Sequence, residues 1–229
     1  LYIKLKLHIA QNMCMESTIP ELESMKAVLS RTDVQKGLIK LYSDSQAECI
    51  RNGKCGMEIG MSREKDICAV LKYCLGSAVN LDISNDLPED MEIGKQKVSI
   101  KHSSGRVGTT VKAKWTSADE SVKEALRSII DADESYYSNL LLIYLDKAKS
   151  LISIVCISAE HHMDTIKTLG EDAFKIPKGN SRGIEYSKDA MTTLIKNAYF
   201  QIDITATLDT GLDPIERRMA ALHIMGIAP

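Results

Sequence analysis

Apolar and polar residues alternate most regularly between Pro88 and Ser104, PEDMEIGKQKVSIKHSS. A two-residue turn at Gly94-Lys95 pairs Ile93 with Gln96, Glu92 with Lys97, Met91 with Val98 and Asp90 with Ser99. Successive strand side chains point to opposite faces. Met91, Ile93, Val98 and Ile100 therefore share an apolar face, and Asp90, Glu92, Lys97, Ser99 and Lys101 share the other. Two further runs, NLLLIYL (139–145) and LISIVCIS (151–158), are hydrophobic at nearly every position and predict central strands covered on both faces. Shorter strands are predicted at LYIKLKLHIA (1–10), AVNLDIS (78–84), VKAKW (111–115) and QIDITATL (201–208).

Helical periodicity fills most of the rest. One helix is predicted from Pro20 to Ser30, and a second is capped by Thr32, with Gln35 in the capping-box position and Val34, Leu38 and Leu41 on one face. NGKCGMEIGM (52–61), with three glycines, predicts an exposed loop or broken helix. Ser62 is expected to cap a helix bearing Ile67, Val70, Leu71 and Cys74 and ending at Gly76; Glu64 falls on its inward stripe. Ser117 and Glu120 form a capping box before Val122, Ala125, Leu126, Ile129 and Ile130. FKIPKGNSRGIEYSKDA (174–190) predicts a loop leading into a helix from Ser187, and Asp213-Pro214 starts a last helix ended by Gly226. His161-His162 lacks the spacing of a zinc protease and is taken as a turn or strand end. The order of elements predicts an α/β fold, a mixed central sheet flanked by helices with a helical N-terminal preface. One domain is expected over 1–229, with a mostly helical part at 1–50 and a core at 58–210.

Composition narrows the class without naming an activity. With 229 residues, 44% hydrophobic, 26% charged and a net charge of −2, nothing in the overall balance announces a polyanion partner. Locally it differs. From Ile93 through Ala118 stand Lys95, Lys97, Lys101, Arg106, Lys112 and Lys114 with no Asp or Glu between them. Six cysteines without a Cys-x-x-Cys pair or a secretory leader suggest reduced thiols and a cytoplasmic location. No apolar run approaches the roughly 20 residues that cross a bilayer, so no membrane association is expected.

The polar hairpin face gathers a chemical set. Asp90 faces the strand carrying Ser99 and Lys101, a helix offers Glu64, and cations surround them. Phosphodiester hydrolysis asks for these groups: carboxylates that hold Mg²⁺, and a lysine that orients or activates the nucleophile. Met57 and Met61, flanking Glu58, either fold back onto the core or serve as wedges between bases.

Pro88-Glu89-Asp90, eight residues, then Ser99-Ile100-Lys101 resembles the hairpin of the PD-(D/E)XK nucleases, with a Glu inserted before the Asp and a Ser in place of the second acid. SIKHSSGRVGTTVKAKWTSADESVKEAL, the paired apolar strands and IPKGNSRGIEYSKDAM extend the likeness, over most of 58–198, to Type II restriction endonucleases of the ThaI type. The resemblance implies a restriction-endonuclease-like fold and Mg²⁺-dependent cleavage of double-stranded DNA at CGCG, cut bluntly at its centre. It also implies a homodimer and a cognate DNA methyltransferase as genetic partner. Carried onto this sequence, it makes Glu64, Asp90, Ser99 and Lys101 catalytic, with Asp90, Glu64 and the Ile100 carbonyl on the metal, Lys101 beside the attacking water, and Glu92 and Glu58 as reserve acids. Guanine reading calls for Arg or Lys donors. The candidates are Arg182, Lys178 and Asn180, then Arg106 and Lys112, with Met57 and Met61 as wedges at a CG step. Two other readings stay open: a repair or recombination nuclease of the same fold, and a DNA-binding protein whose hairpin has degenerated.

Overall fold

In the computed structural model, which describes residues 19–53, 57–84, 87–116, 120–177, 183–206 and 214–226, three helices precede the sheet. They are α1 (Pro20–Leu29), α2 (Thr32–Arg51) and α3 (Met57–Leu75). Then come β1 (Val79–Asn80), β2 (Met91–Ile93), β3 (Gln96–Ser103), β4 (Lys112–Trp115), α4 (Val122–Ile130), β5 (Asn139–Asp146) and β6 (Leu151–Ile157). The chain continues through α5 (Ala159–Leu169), β7 (Phe174–Lys175), β8 (Gly183–Tyr186), α6 (Lys188–Lys196), β9 (Phe200–Thr205) and α7 (Pro214–Ile224).

The main sheet has six strands in the order β1-β2-β3-β5-β6-β9, and β4, β8 and β7 form a second sheet. β3 and β5 run parallel while the other neighbours are antiparallel, so the main sheet is mixed. The hairpin register is the one read from the alternation: Met91 opposite Val98, Glu92 opposite Lys97, Ile93 opposite Gln96. Gly94 takes φ +59°, a left-handed conformation that a side chain resists.

Both faces of the sheet are covered, as the continuous apolar strands require. On one face Val98, Ile100, Leu141, Ile143, Ile152 and Ile154 pack under α1, α2, α3 and α7. On the other, Leu140, Leu142, Tyr144, Val155 and Ile157 pack under α4, α5, α6 and the small sheet. Ser99 and Lys101 pair with Leu140 and Leu142 and so belong to the second face, at the margin of its core.

Several local expectations are corrected. α3 starts at Met57, so 57–61 is helical and Ser62 lies inside the helix, its hydroxyl donating to Ser45 Oγ (3.1 Å). A helix tolerates Gly60 at a cost of about 1 kcal/mol. Thr32 is the first residue of α2, and the Gln35 amide donates to Leu29 O (3.1 Å) rather than closing a box. The box before α4 is Ser121 with Glu124, not Ser117 with Glu120. The strand expected at 78–84 shrinks to Val79–Asn80. His161 and His162 stand in the first turn of α5, which Ser158 caps, and the expected loop at 174–190 holds β7 and β8. The strand expected at 1–10 lies outside the described residues. The helix from Ser187 forms with Ser187 accepting from the Ala190 amide, as expected.

Candidate active site

The site forms where β2 leaves β3. The Asp90 amide donates to Val98 O (2.9 Å), the last rung of the hairpin. Beyond it β3 pairs only with β5, and the Ile100 amide would face outward without a strand partner. Asp90 fills that place: Ile100 N donates to its Oδ2 at 2.6 Å. Ser99 donates through Oγ to Pro88 O (2.6 Å) and ties down the segment that carries Asp90.

Lys101 Nζ stands 3.6 Å from Asp90 Oδ2 and donates to Ile100 O at 3.1 Å. Glu64, on α3, lies within electrostatic reach of this pair. Burial pushes its carboxyl up to about 7, against the attraction of Lys101, while the Asp90 charge raises it further and the nearby His102 amide opposes. Two acids and a single lysine thus share one partly buried spot.

A buried arginine sets α3 at this height. Arg63 donates to Gln46 Oε1 (2.8 Å) of α2 and contacts His102 Nε2 (3.0 Å) of β3. An arginine only donates, so His102 Nε2 accepts and the imidazole is neutral. Burial, then the Arg63 charge, lowers His102 to about 3. Sequence reasoning missed Arg63 and His102; the available signal was Arg63 standing one turn before Ile67, on the inward side of α3.

Asp90, Ser99, the Ile100 carbonyl, Lys101 and Glu64 are brought together. Glu92 is instead bonded by Asn80 Nδ2 (3.1 Å), and Glu58 is exposed in the first turn of α3. Arg106 is exposed beyond β3, and Lys112 Nζ lies 3.4 Å from the centre of the Trp115 ring. Met61 is exposed on α3; Met57 opens that helix, its side chain outside the described residues. Lys178, Asn180 and Arg182 also lie outside them. The cationic stretch is partly neutralised, since Lys97 pairs with Glu89 (3.3 Å) and Lys114 with Glu120 (2.7 Å).

Behind the site, His162 of α5 is buried, its Nδ1 on Ser138 O (3.0 Å) and its Nε2 on Tyr186 Oη (2.8 Å). Burial lowers it to about 4. A base whose folded value lies below its unfolded value of about 6.5 favours folding above that pH and opposes it as pH falls toward 4. At about 1.4 kcal/mol per pH unit, His162 alone is expected to remove about 3 kcal/mol of stability between pH 6.5 and 4. Denaturant unfolding of wild type and His162→Gln across that range checks this; the difference between the two should change with pH and flatten above 7.

Among the described residues no three His, Cys, Asp or Glu side chains cluster as a metal site. The donors here are two carboxylates and a main-chain carbonyl, all hard oxygens of the kind Mg²⁺ takes. The Asp90–Glu64 repulsion is the electrostatic arrangement that a bound dication relieves.

A mixed sheet with helices on both faces and a hairpin presenting an acid and Ser-x-Lys at its open end give the chain a restriction-endonuclease-like fold. Among solved structures, one titled "Restriction endonuclease in complex with substrate DNA" matches with TM-score 0.64 at 24% identity, covering 83% of this chain and 92% of that one. The family model described as Restriction endonuclease ThaI matches residues 25–206. The chain belongs to the ThaI restriction endonuclease family, whose members cleave DNA. Comparison with curated proteins gave no match. No helix among the described residues is long and apolar enough to cross a membrane.

Proposed function

We propose that this protein is a Mg²⁺-dependent Type II enzyme that hydrolyses phosphodiester bonds of double-stranded DNA at a short palindrome, CGCG with a blunt central cut. The observation that carries the reading is Lys101 Nζ 3.6 Å from Asp90 Oδ2 at the open end of one hairpin, with Glu64 within electrostatic reach of both. Asp90 and Glu64, with the Ile100 carbonyl, would hold Mg²⁺, which when bound lowers the pKa of water and stabilises charge developing on phosphorus. The residues do the rest. Lys101 directs its ammonium to the attacking water and the phosphate. Asp90, pinned by the Ile100 amide, fixes where that water stands relative to the strand. Ser99 keeps the Asp90 segment from drifting.

A palindrome has two equivalent strands, so the working form is a homodimer with one site for each. Residues 58–210 form the catalytic core of a single domain, acting in the cytoplasm beside a cognate DNA methyltransferase. Arg182, Lys178 and Asn180 read bases, Arg106 and Lys112 contact the duplex, and Met57 and Met61 enter a CG step, which unstacks at low cost. Incubating the protein with long duplex DNA and Mg²⁺ and sequencing the ends tests the whole reading. Blunt ends centred on CGCG are expected. Ends scattered without sequence preference would favour a repair or recombination nuclease, and intact DNA a degenerate binder.

A further inference from the structure

A small cavity of mixed lining, with Ala113, Ile129 and Leu140 among its walls, lies behind the lysine. Ser99 and Lys101 of β3 form one wall, and Tyr136, Ser138, His162 and Tyr186 contribute to the others. Its space of about 30 Å³ for water centres suits one or two waters and no larger ligand. Ser138 lines it, and its hydroxyl is buried, 3% of the residue being exposed, with no hydrogen-bond partner.

The neighbouring bonds fix which way each polar atom can act. Ser138 O can only accept, so His162 Nδ1 carries the ring proton and Nε2 accepts from the Tyr186 hydroxyl. The phenol proton is therefore committed to His162, and the phenol oxygen is left free to accept. Lys101 has three ammonium protons, one on Ile100 O and one on the side of the attacking water, where Asp90 Oδ2 stands 3.6 Å away and does not hold it in a hydrogen bond. The third remains for the cavity.

Resting on the role given to Lys101 above, we infer that a water bound in this cavity accepts from the Lys101 ammonium and donates to Ser138 Oγ and Tyr186 Oη. Such a water makes three bonds, the usual number for a buried one, and satisfies the orphaned hydroxyl. Ser138 and Tyr186, with His162 orienting the phenol, are then positioning residues. They hold a flexible four-carbon stem so that its charge meets the scissile phosphate.

The test is single-turnover cleavage by Ser138→Ala, Tyr186→Phe and the double variant, with DNA affinity measured without Mg²⁺ and thermal midpoints recorded. Each single variant is expected to cleave about tenfold more slowly with unchanged affinity, and the double variant no more slowly than the slower single, because one water serves both groups. Wild-type rates, or losses that multiply in the double variant, overturn the inference. If Tyr186→Phe fails to fold, Ser138→Ala decides alone, since its hydroxyl holds nothing else. Lys101→Ala runs alongside. If it cleaves at the wild-type rate, the role of Lys101 itself falls; if it is inactive while Ser138→Ala is not slowed, only the water does.

Discussion

Asp90→Ala and Lys101→Ala are each expected to lower DNA cleavage by on the order of 10³-fold or more while duplex binding persists. The reason lies in how few groups the site has. Asp90 Oδ2 faces both the Ile100 amide and the Lys101 ammonium, and Glu64 is a second carboxyl coupled to them. No neighbour can take over, because Glu92 is bonded by Asn80 and Glu89 is paired with Lys97. Single-turnover kinetics with saturating enzyme, alongside gel-shift affinities, would separate chemistry from binding. Loss of binding in both variants would count against the assignment, since it would mean the pair holds the protein together rather than performing hydrolysis.

Glu64→Gln carries the second large effect, and its two consequences have opposite sign. Cleavage should fall by about 10²-fold or more and require more Mg²⁺, because an amide is a poorer ligand than a carboxylate. Stability of the metal-free protein should rise. The wild-type carboxyl titrates at about 7 in the fold, above its ordinary 4.5, so folding favours its neutral form. That contribution is complete below pH 4.5 and is lost as pH rises through 7. The glutamine variant has nothing to lose. At pH 8 it should be more stable by on the order of 2 kcal/mol, and at pH 4.5 nearly equal to wild type. Urea unfolding at the two pH values, without Mg²⁺, measures this; equal differences at both would show that Glu64 is not buried against Asp90.

The hairpin was legible because a period of two and a glycine turn specify register together, and a slip of one residue would have put Met91 and Ile93 in water. Glu64 was legible for a similar reason, lying on the apolar stripe of α3. Local signals misled where two fitted equally well. SADESVKE holds the spacing Ser-x-x-Glu twice, at Ser117 and at Ser121, and the second is the one that caps α4. The glycines of 52–61 suggested a loop or a broken helix, and α2 does end at Arg51 with Asn52 and Gly53 in an exposed turn, but helix resumes already at Met57, with Ile59 buried. The small sheet was hidden, since β7 has two residues and β8 pairs with the distant β4. His162 lies on α5, Tyr186 on β8 and Ser138 in the connection before β5, and no spacing along the chain could have joined them.

The bond from the Ile100 amide to Asp90 ties reactivity to strand pairing. A perturbation that opened the end of the hairpin by an ångström or so would leave both hydrophobic layers intact and the protein folded by any bulk measure. Yet it would swing the acid away from the lysine, so an inactive variant of this enzyme need not be an unstable one.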